Sequence, residues 1–278
     1  MQNQDSIDLR EIVNHPVETF REALELDGHR IICLVGAGGK TSLMFAMARE
    51  LAALGNHAIT STTTKIFEPS RKDTPFLFLR EGAGDIIQTI PGLIHRYRHF
   101  TLVERRLPET QKLKGVSPEL IDRLGALDEV DHIIVEADGA ARLPLKAPGE
   151  NEPVIPLKTS LVVVVVGIDS IGVELSKDQV FRPHIVSELT GLPLGEKVTG
   201  AVIAELIVHP RGMAKGAPTH STIIPFLNKA DIPGGLEKGR ELAQRILEKG
   251  HPKIKRIVLG NALRERPVVE VLIRKVDS

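Results

Sequence analysis

Residues 31–42 read IICLVGAGGKTS. An apolar run enters a cluster of glycines and leaves through Lys40, Thr41 and Ser42. Residues 40–54 then carry apolar side chains at helical spacing and stop at Gly55, a C-terminal signal. A buried strand, a glycine loop and a helix in that order make an anion site. The first N–H groups of a helix lack partners within it, and its dipole adds positive potential. Glycines let the loop backbone approach a phosphate chain closely.

Two fingerprints compete for this loop. A dinucleotide site wants G-x-G-x-x-G and an acid about 20 residues later. Gly36 and Gly38 fit, but Thr41 stands at the third glycine and the second strand ends in Ile59, Thr60, Ser61 and Thr62, without an acid. A phosphate loop wants G-x-x-x-x-G-K-[ST]. Gly39, Lys40 and Thr41 satisfy its end, while Leu34 replaces its first glycine and Gly36 gives a compressed G-x-x-G-K-T. That compressed form resembles the ATP loop of Mur-type ligases. The phosphate reading is favoured, with Gly36, Ala37, Gly38 and Gly39 as the cradle, Lys40 on the phosphates, and Thr41 and Ser42 supplying hydroxyls, that of Thr41 to Mg²⁺.

Strand-length apolar runs recur at 57–62, 76–79, 100–103, 132–137, 161–166, 221–227 and 255–260, and VVEVLIRKV is a candidate closing strand. Helical patterns occupy 83–98, 117–125, 184–191, 199–208 and 235–249. Continuous Val/Ile/Leu runs belong to strands covered on both faces. The expected fold is therefore α/β and P-loop NTPase-like, a mostly parallel sheet flanked by helices. Residues 1–278 read as a single domain, with an insertion expected around 63–130. The Pro-rich stretch 143–156 reads as an extended loop.

Two further stations suit a nucleotide. Glu136 and Asp138 follow a buried strand and precede Gly139, where a P-loop protein places a carboxylate for Mg²⁺. Glu136-x-x-Gly139 resembles the third motif of metallochaperone-type GTPases; a solvated acidic turn is the plain alternative. Residues 223–231, IIPFLNKAD, end in Asn228, Lys229 and Asp231, an N-K-x-D match. One carboxylate accepts both the N1–H and N2–H₂ of guanine, whereas adenine would leave it desolvated and unpaired. Asn228 could bond the base edge, and the Lys229 stem could lie along its plane. The plain alternative is a turn opening a helix.

Thr63 and Thr64 sit where a switch could reach phosphate and Mg²⁺, or simply end a strand. Arg142 could neutralise phosphoryl charge as an internal arginine finger, and so could Lys146, which reads rather as solvated loop charge. Asp169 ends the valine run, and Arg182-Pro183-His184 is a rigid polar turn that could meet substrate. His95 and His99 read as a solvated helix face, and Cys33 as a small core residue.

Composition narrows the classes. Lys plus Arg balance Asp plus Glu at 36 each, so no global field recruits nucleic acid or membrane. Aromatic content of 3% gives no base-stacking platform. One cysteine excludes an intrachain disulfide and a Cys-rich metal cluster. The polar N-terminus is unlike a secretion signal, and the longest apolar run is too short to span a bilayer, so a cytoplasmic protein is expected.

The joint pattern GAGGKTS, TTTKI, IIVEADGAARLPLKAP, EPVIP, FRPHIVSELTG and LNKAD resembles the YqeC-type selenium cofactor biosynthesis proteins, also described as accessory proteins of selenium-dependent molybdenum hydroxylases. The resemblance runs from about residue 25 to 260. It implies a role in maturing a selenium-containing molybdenum cofactor, with a hydroxylase or its cofactor as partner. Three functions compete: a Mg²⁺-dependent GTPase accessory factor, an ATP-dependent small-molecule ligase or kinase, and a nucleotide-binding module that does not hydrolyse.

Overall fold

The computed structural model describes residues 17–274. The N-terminal signal reading and the end of the closing strand fall outside that range. The strands are β1 (Ile31–Gly36), β2 (Ala58–Thr62), β3 (Lys65–Phe67), β4 (Leu77–Leu79), β5 (His99–Val103), β6 (Arg105–Leu107) and β7 (Lys112–Lys114). They continue as β8 (His132–Glu136), β9 (Leu145–Lys146), β10 (Leu161–Gly167), β11 (Val180–Phe181), β12 (Thr222–Asn228), β13 (Arg256–Gly260) and β14 (Val268–Ile273). The helices are α1 (Phe20–Ala23), α2 (Lys40–Ala53), α3 (Ile86–Tyr97), α4 (Pro118–Leu124), α5 (Pro183–Thr190), α6 (Gly200–Val208) and α7 (Gly235–Glu248).

Nine strands form one sheet in the order β14-β13-β12-β10-β1-β8-β2-β5-β4. All neighbours are parallel except the β13–β14 edge pair. The valine run explains the sheet's double cover. Val162, Val164 and Val166 enter one core with α3, α4, α6 and α7, while Leu161, Val163 and Val165 enter the other with α1 and α2. Successive side chains point to opposite faces, so both faces must be apolar. The fold is thus α/β, mostly parallel and flanked by helices, as the sequence suggests.

β1 is central. After β1 the chain first builds toward β2 and β5, then returns to fill β10, β12 and β13 on the other side. That reversal opens a crevice at the carboxyl ends of the strands, where such sheets bind ligands. Residues 63–130 give β4 and β5 to the main sheet and also form a small antiparallel sheet, β3-β7-β6. Alternation is too short to reveal three-residue strands in sequence. No helix among the described residues is long and apolar enough to cross a membrane.

Two readings of histidines and lysines are corrected. His99 is not on a solvated helix face; α3 stops at Tyr97 and His99 opens β5, buried, with Nε2 3.2 Å from Thr60 Oγ1. Burial, helped by Arg49, lowers its pKa to about 4. Lys146 is not solvated either but fully buried in β9. Cys33 is in the core, and burial pushes its thiol up to about 12.

Candidate functional site

The glycine loop turns from β1 into α2 at the sheet's reversal point. Gly36, Gly38 and Gly39 have φ of +94°, +85° and +129°. A Cβ at Gly38 would lie 2.3 Å from the Gly167 nitrogen. Only glycine reconciles that conformation with that approach. The entry to α2, like those of α5 and α7, has no side-chain cap. Asp85, Ser117 and Thr199 cap α3, α4 and α6 through their side chains, whereas Gly39 offers no side-chain cap and α2 has no acid in its first turn. The first N–H groups of α2 and their dipole are left for an anion.

Lys40 is turned back into this loop and is 4% exposed. Its ammonium donates to Gly36 O at 2.7 Å, pairs with Asp138 Oδ1 at 3.2 Å and lies 3.7 Å from Glu136 Oε1. Burial lowers its pKa, but the two carboxylates outweigh it, so the ammonium is held above its usual value. Glu136 goes the same way for the opposite reason: burial raises its carboxyl, and Lys40 and Thr41 offset this incompletely. The Thr41 hydroxyl donates to Glu136 Oε2 at 2.6 Å. The Gly36 N–H donates to Asp138 Oδ2 at 3.2 Å.

From Asp138 a row of charges leads away from the loop, buried at Lys146 and half-buried at Glu152 and Arg182. Lys146 Nζ meets Asp138 Oδ2 at 2.8 Å, Glu152 Oε2 at 2.9 Å and Gly139 O at 2.6 Å. Arg182 Nη1 meets the same Glu152 oxygen at 2.7 Å. Burial alone would raise the Glu152 carboxyl; Arg182 and Lys146 overcome it and bring the pKa to about 2. Cations and anions thus alternate from Lys40 to Arg182 at the start of α5. Sequence reading missed Lys146 and Glu152 in this role, and gave Arg182 to substrate instead. Their spacing along the chain carries no periodic signal.

These elements enclose a cleft of about 680 Å³. One side comprises Gly38 to Ser42, Glu136, Asp169 and Lys229, from the loops after β1, β8, β10 and β12. Arg142 reaches it from the rim, its guanidinium stacked 3.9 Å from the centre of the Phe67 ring. Lys229 Nζ pairs with Asp169 Oδ2 at 2.5 Å. The other candidate residues do not line the cleft. The Thr63 hydroxyl donates to Val154 O at 2.7 Å, and the Thr64 hydroxyl lies 3.3 Å from that of Thr62. Asn228 braces the loop: its amide donates to Gly38 O at 2.8 Å and accepts from the Ala262 N–H at 3.0 Å. Asp231 is exposed and held by Asn261 and Arg264, at 2.6 and 2.7 Å, which keep its carboxyl below the usual range. The loop after β13, which closes on Asn228 and Asp231, left no mark in the sequence reading.

Among the described residues no three His, Cys, Asp or Glu side chains form a metal cage. The oxygens present are a hydroxyl and two carboxylates, and Asp138 Oδ1 is buried, with the Lys40 ammonium 3.2 Å away but no aligned hydrogen bond. This donor set fits a hard Mg²⁺ that shares its coordination with phosphate and water rather than with protein alone.

Comparison with known proteins agrees with the sequence resemblance. A likeness to the crystal structure of FlhF complexed with GTP/Mg²⁺ covers 90% of this chain and 72% of that one, at 15% identity and a TM-score of 0.35, too loose to identify a function. A protein of Escherichia coli (strain K12), described as uncharacterized protein YqeC, is 34% identical over 203 residues, 72% of this chain and 75% of that protein. The YqeC protein family profile matches residues 32–184, more than half of the chain. The chain belongs to the YqeC family.

Proposed function

We propose that this chain binds a Mg²⁺–nucleoside triphosphate in the cleft and hydrolyses it, with GTP as the nucleotide, as an accessory factor in maturing the selenium-containing molybdenum cofactor of a hydroxylase. The last clause rests on the sequence resemblance. The observation that carries the rest is topological. The ends of four parallel strands bring Lys40, Thr41, Glu136, Asp138, Asp169 and Lys229 around an uncapped helix start at the sheet's reversal point.

The triphosphate would lie on the N–H groups of Gly38 to Thr41, with Lys40 released from its carboxylates to meet it. Thr41 and Glu136 would hold Mg²⁺, whose chemistry is to neutralise charge on the transferred phosphoryl group. Arg142 stands at the rim as a second cation. Asp231 stays ionised, as guanine recognition needs, and would have to exchange Asn261 or Arg264 for the base.

Calorimetric titration with GTP and ATP analogues, with and without Mg²⁺, tests this. Mg²⁺-dependent GTP binding that turns to a xanthine nucleotide in Asp231→Asn is the expected result. Lys40→Ala should abolish it. ATP binding indifferent to Asp231 would replace the GTPase with a ligase or kinase, and binding without turnover would leave a non-hydrolysing module.

A further inference from the structure

The far wall of the cleft is the small sheet β3-β7-β6. Its inner face buries Ile66 and Leu113. Its outer face is cationic across all three strands. Lys65 is opposite Lys114, and Lys114 is opposite Arg105. The next row places Phe67 opposite Lys112. Like charges directly opposite one another destabilise a sheet. Among the described residues Lys65, Lys112, Lys114, Arg105 and Arg142 make no ion pair with a carboxylate. Glu104, the acid that acts on Lys114 and Arg105 at longer range, is engaged by Arg80. Two of these cations are instead steadied by an aromatic ring: Lys112 Nζ lies 4.9 Å and the Arg142 guanidinium 3.9 Å from the centre of Phe67. A ring holds a cation without neutralising it.

We propose that this wall is a second anion site, which holds the phosphate of a phosphorylated small molecule beside the nucleotide. Lys65, Phe67 and Lys112 line the same cleft as the glycine loop, so the two ligands would face each other. A concave wall shared with the loop suits a small molecule better than a polymer, which needs an open track. Of the row Lys65–Lys114–Arg105 only Lys65 lines the cleft, and Glu104 offsets part of the charge of the other two, so Lys65 and Lys112 are the cations left to meet an anion.

The probe is inorganic pyrophosphate, titrated calorimetrically into the full chain without Mg²⁺. Wild type should show two sites, one of them displaced by a GTP analogue. Lys40→Ala should keep one. Adding Lys65→Gln and Lys112→Gln should weaken that one about ten- to hundredfold, the worth of one or two charged hydrogen bonds. Lys65→Gln alone should raise the melting temperature of the unliganded protein, because it removes repulsion; a purely structural lysine would lower it. A single pyrophosphate site fully displaced by the analogue, or a second site indifferent to the wall substitutions, overturns the proposal. So does capture of an acidic peptide or RNA oligonucleotide without pyrophosphate, which would give the wall to a macromolecule. Failure of any nucleotide to bind would sink the function proposed above but leave the pyrophosphate arm readable.

Discussion

Replacing Lys146 with methionine would test whether the buried charges act as one unit. Methionine keeps the aliphatic stem and fills the space, so the change isolates the ammonium. Lys146 and Asp138 are both 0% exposed at their side chains, and Glu152 is 20% exposed. Removing one partner of a buried pair leaves the other charge stranded, at about 3–5 kcal/mol. Here each stranded carboxylate keeps a second partner. Asp138 retains Lys40 at 3.2 Å and the Gly36 N–H at 3.2 Å, and Glu152 retains Arg182 at 2.7 Å. The loss should therefore fall near the lower end, about 3 kcal/mol. For a chain of this size that is a fall in melting temperature of roughly 6–12 °C. The assay is urea unfolding at neutral pH, with Asp138→Asn and the double variant completing a cycle. The double variant should recover about 1–3 kcal/mol relative to the sum of the singles. A loss below about 1 kcal/mol for Lys146→Met, or strict additivity, would refute the view that the pair is coupled and dry.

Two further outcomes are expected. Gly38→Ala should destabilise the protein more than Gly82→Ala, although φ is +85° and +79° at the two sites, because only at Gly38 does the new Cβ meet backbone, at 2.3 Å. Equal losses in thermal unfolding would show that the loop relaxes freely. His99 has a pKa near 4 in the fold and about 6.5 when unfolded, so the unfolded chain binds the extra proton between those values and stability falls as pH drops through that window. Between pH 7 and 4.5 the cost is about 2–3 kcal/mol, and His99→Gln should escape it in denaturant titrations at both pH values; an unchanged pH dependence would place the acid sensitivity elsewhere.

Much of the fold is legible along the chain because its signals are local. The uninterrupted Val/Ile/Leu runs at β1, β8, β10 and β12, and the apolar spacing through α2 and α7, mark elements by period alone. Gly36 to Thr41 announce a turn only glycine can make, and thus the place of the candidate site. What the chain order does not carry is which charges meet. Lys146 reads as a solvated loop residue although Asp138, Gly139 and Glu152 lie only six to eight residues away, because such an offset matches neither strand nor helix period; it is buried in β9, which pairs with β11. His99 resembles one arm of a helical i, i+4 pair, yet α3 ends before it and β5 draws it into the core. Asn228 and Asp231 match a base-reading motif, but the loop after β13, some thirty residues on, decides what they touch. Local sequence determines period, turn and strand length, because these depend on neighbours within a few residues. The pairing of buried charges, the cationic face of β3-β7-β6 and the shape of the cleft arise only when strands far apart in the chain come into register, since electrostatic energy depends on distance in space and on water excluded by everything around it.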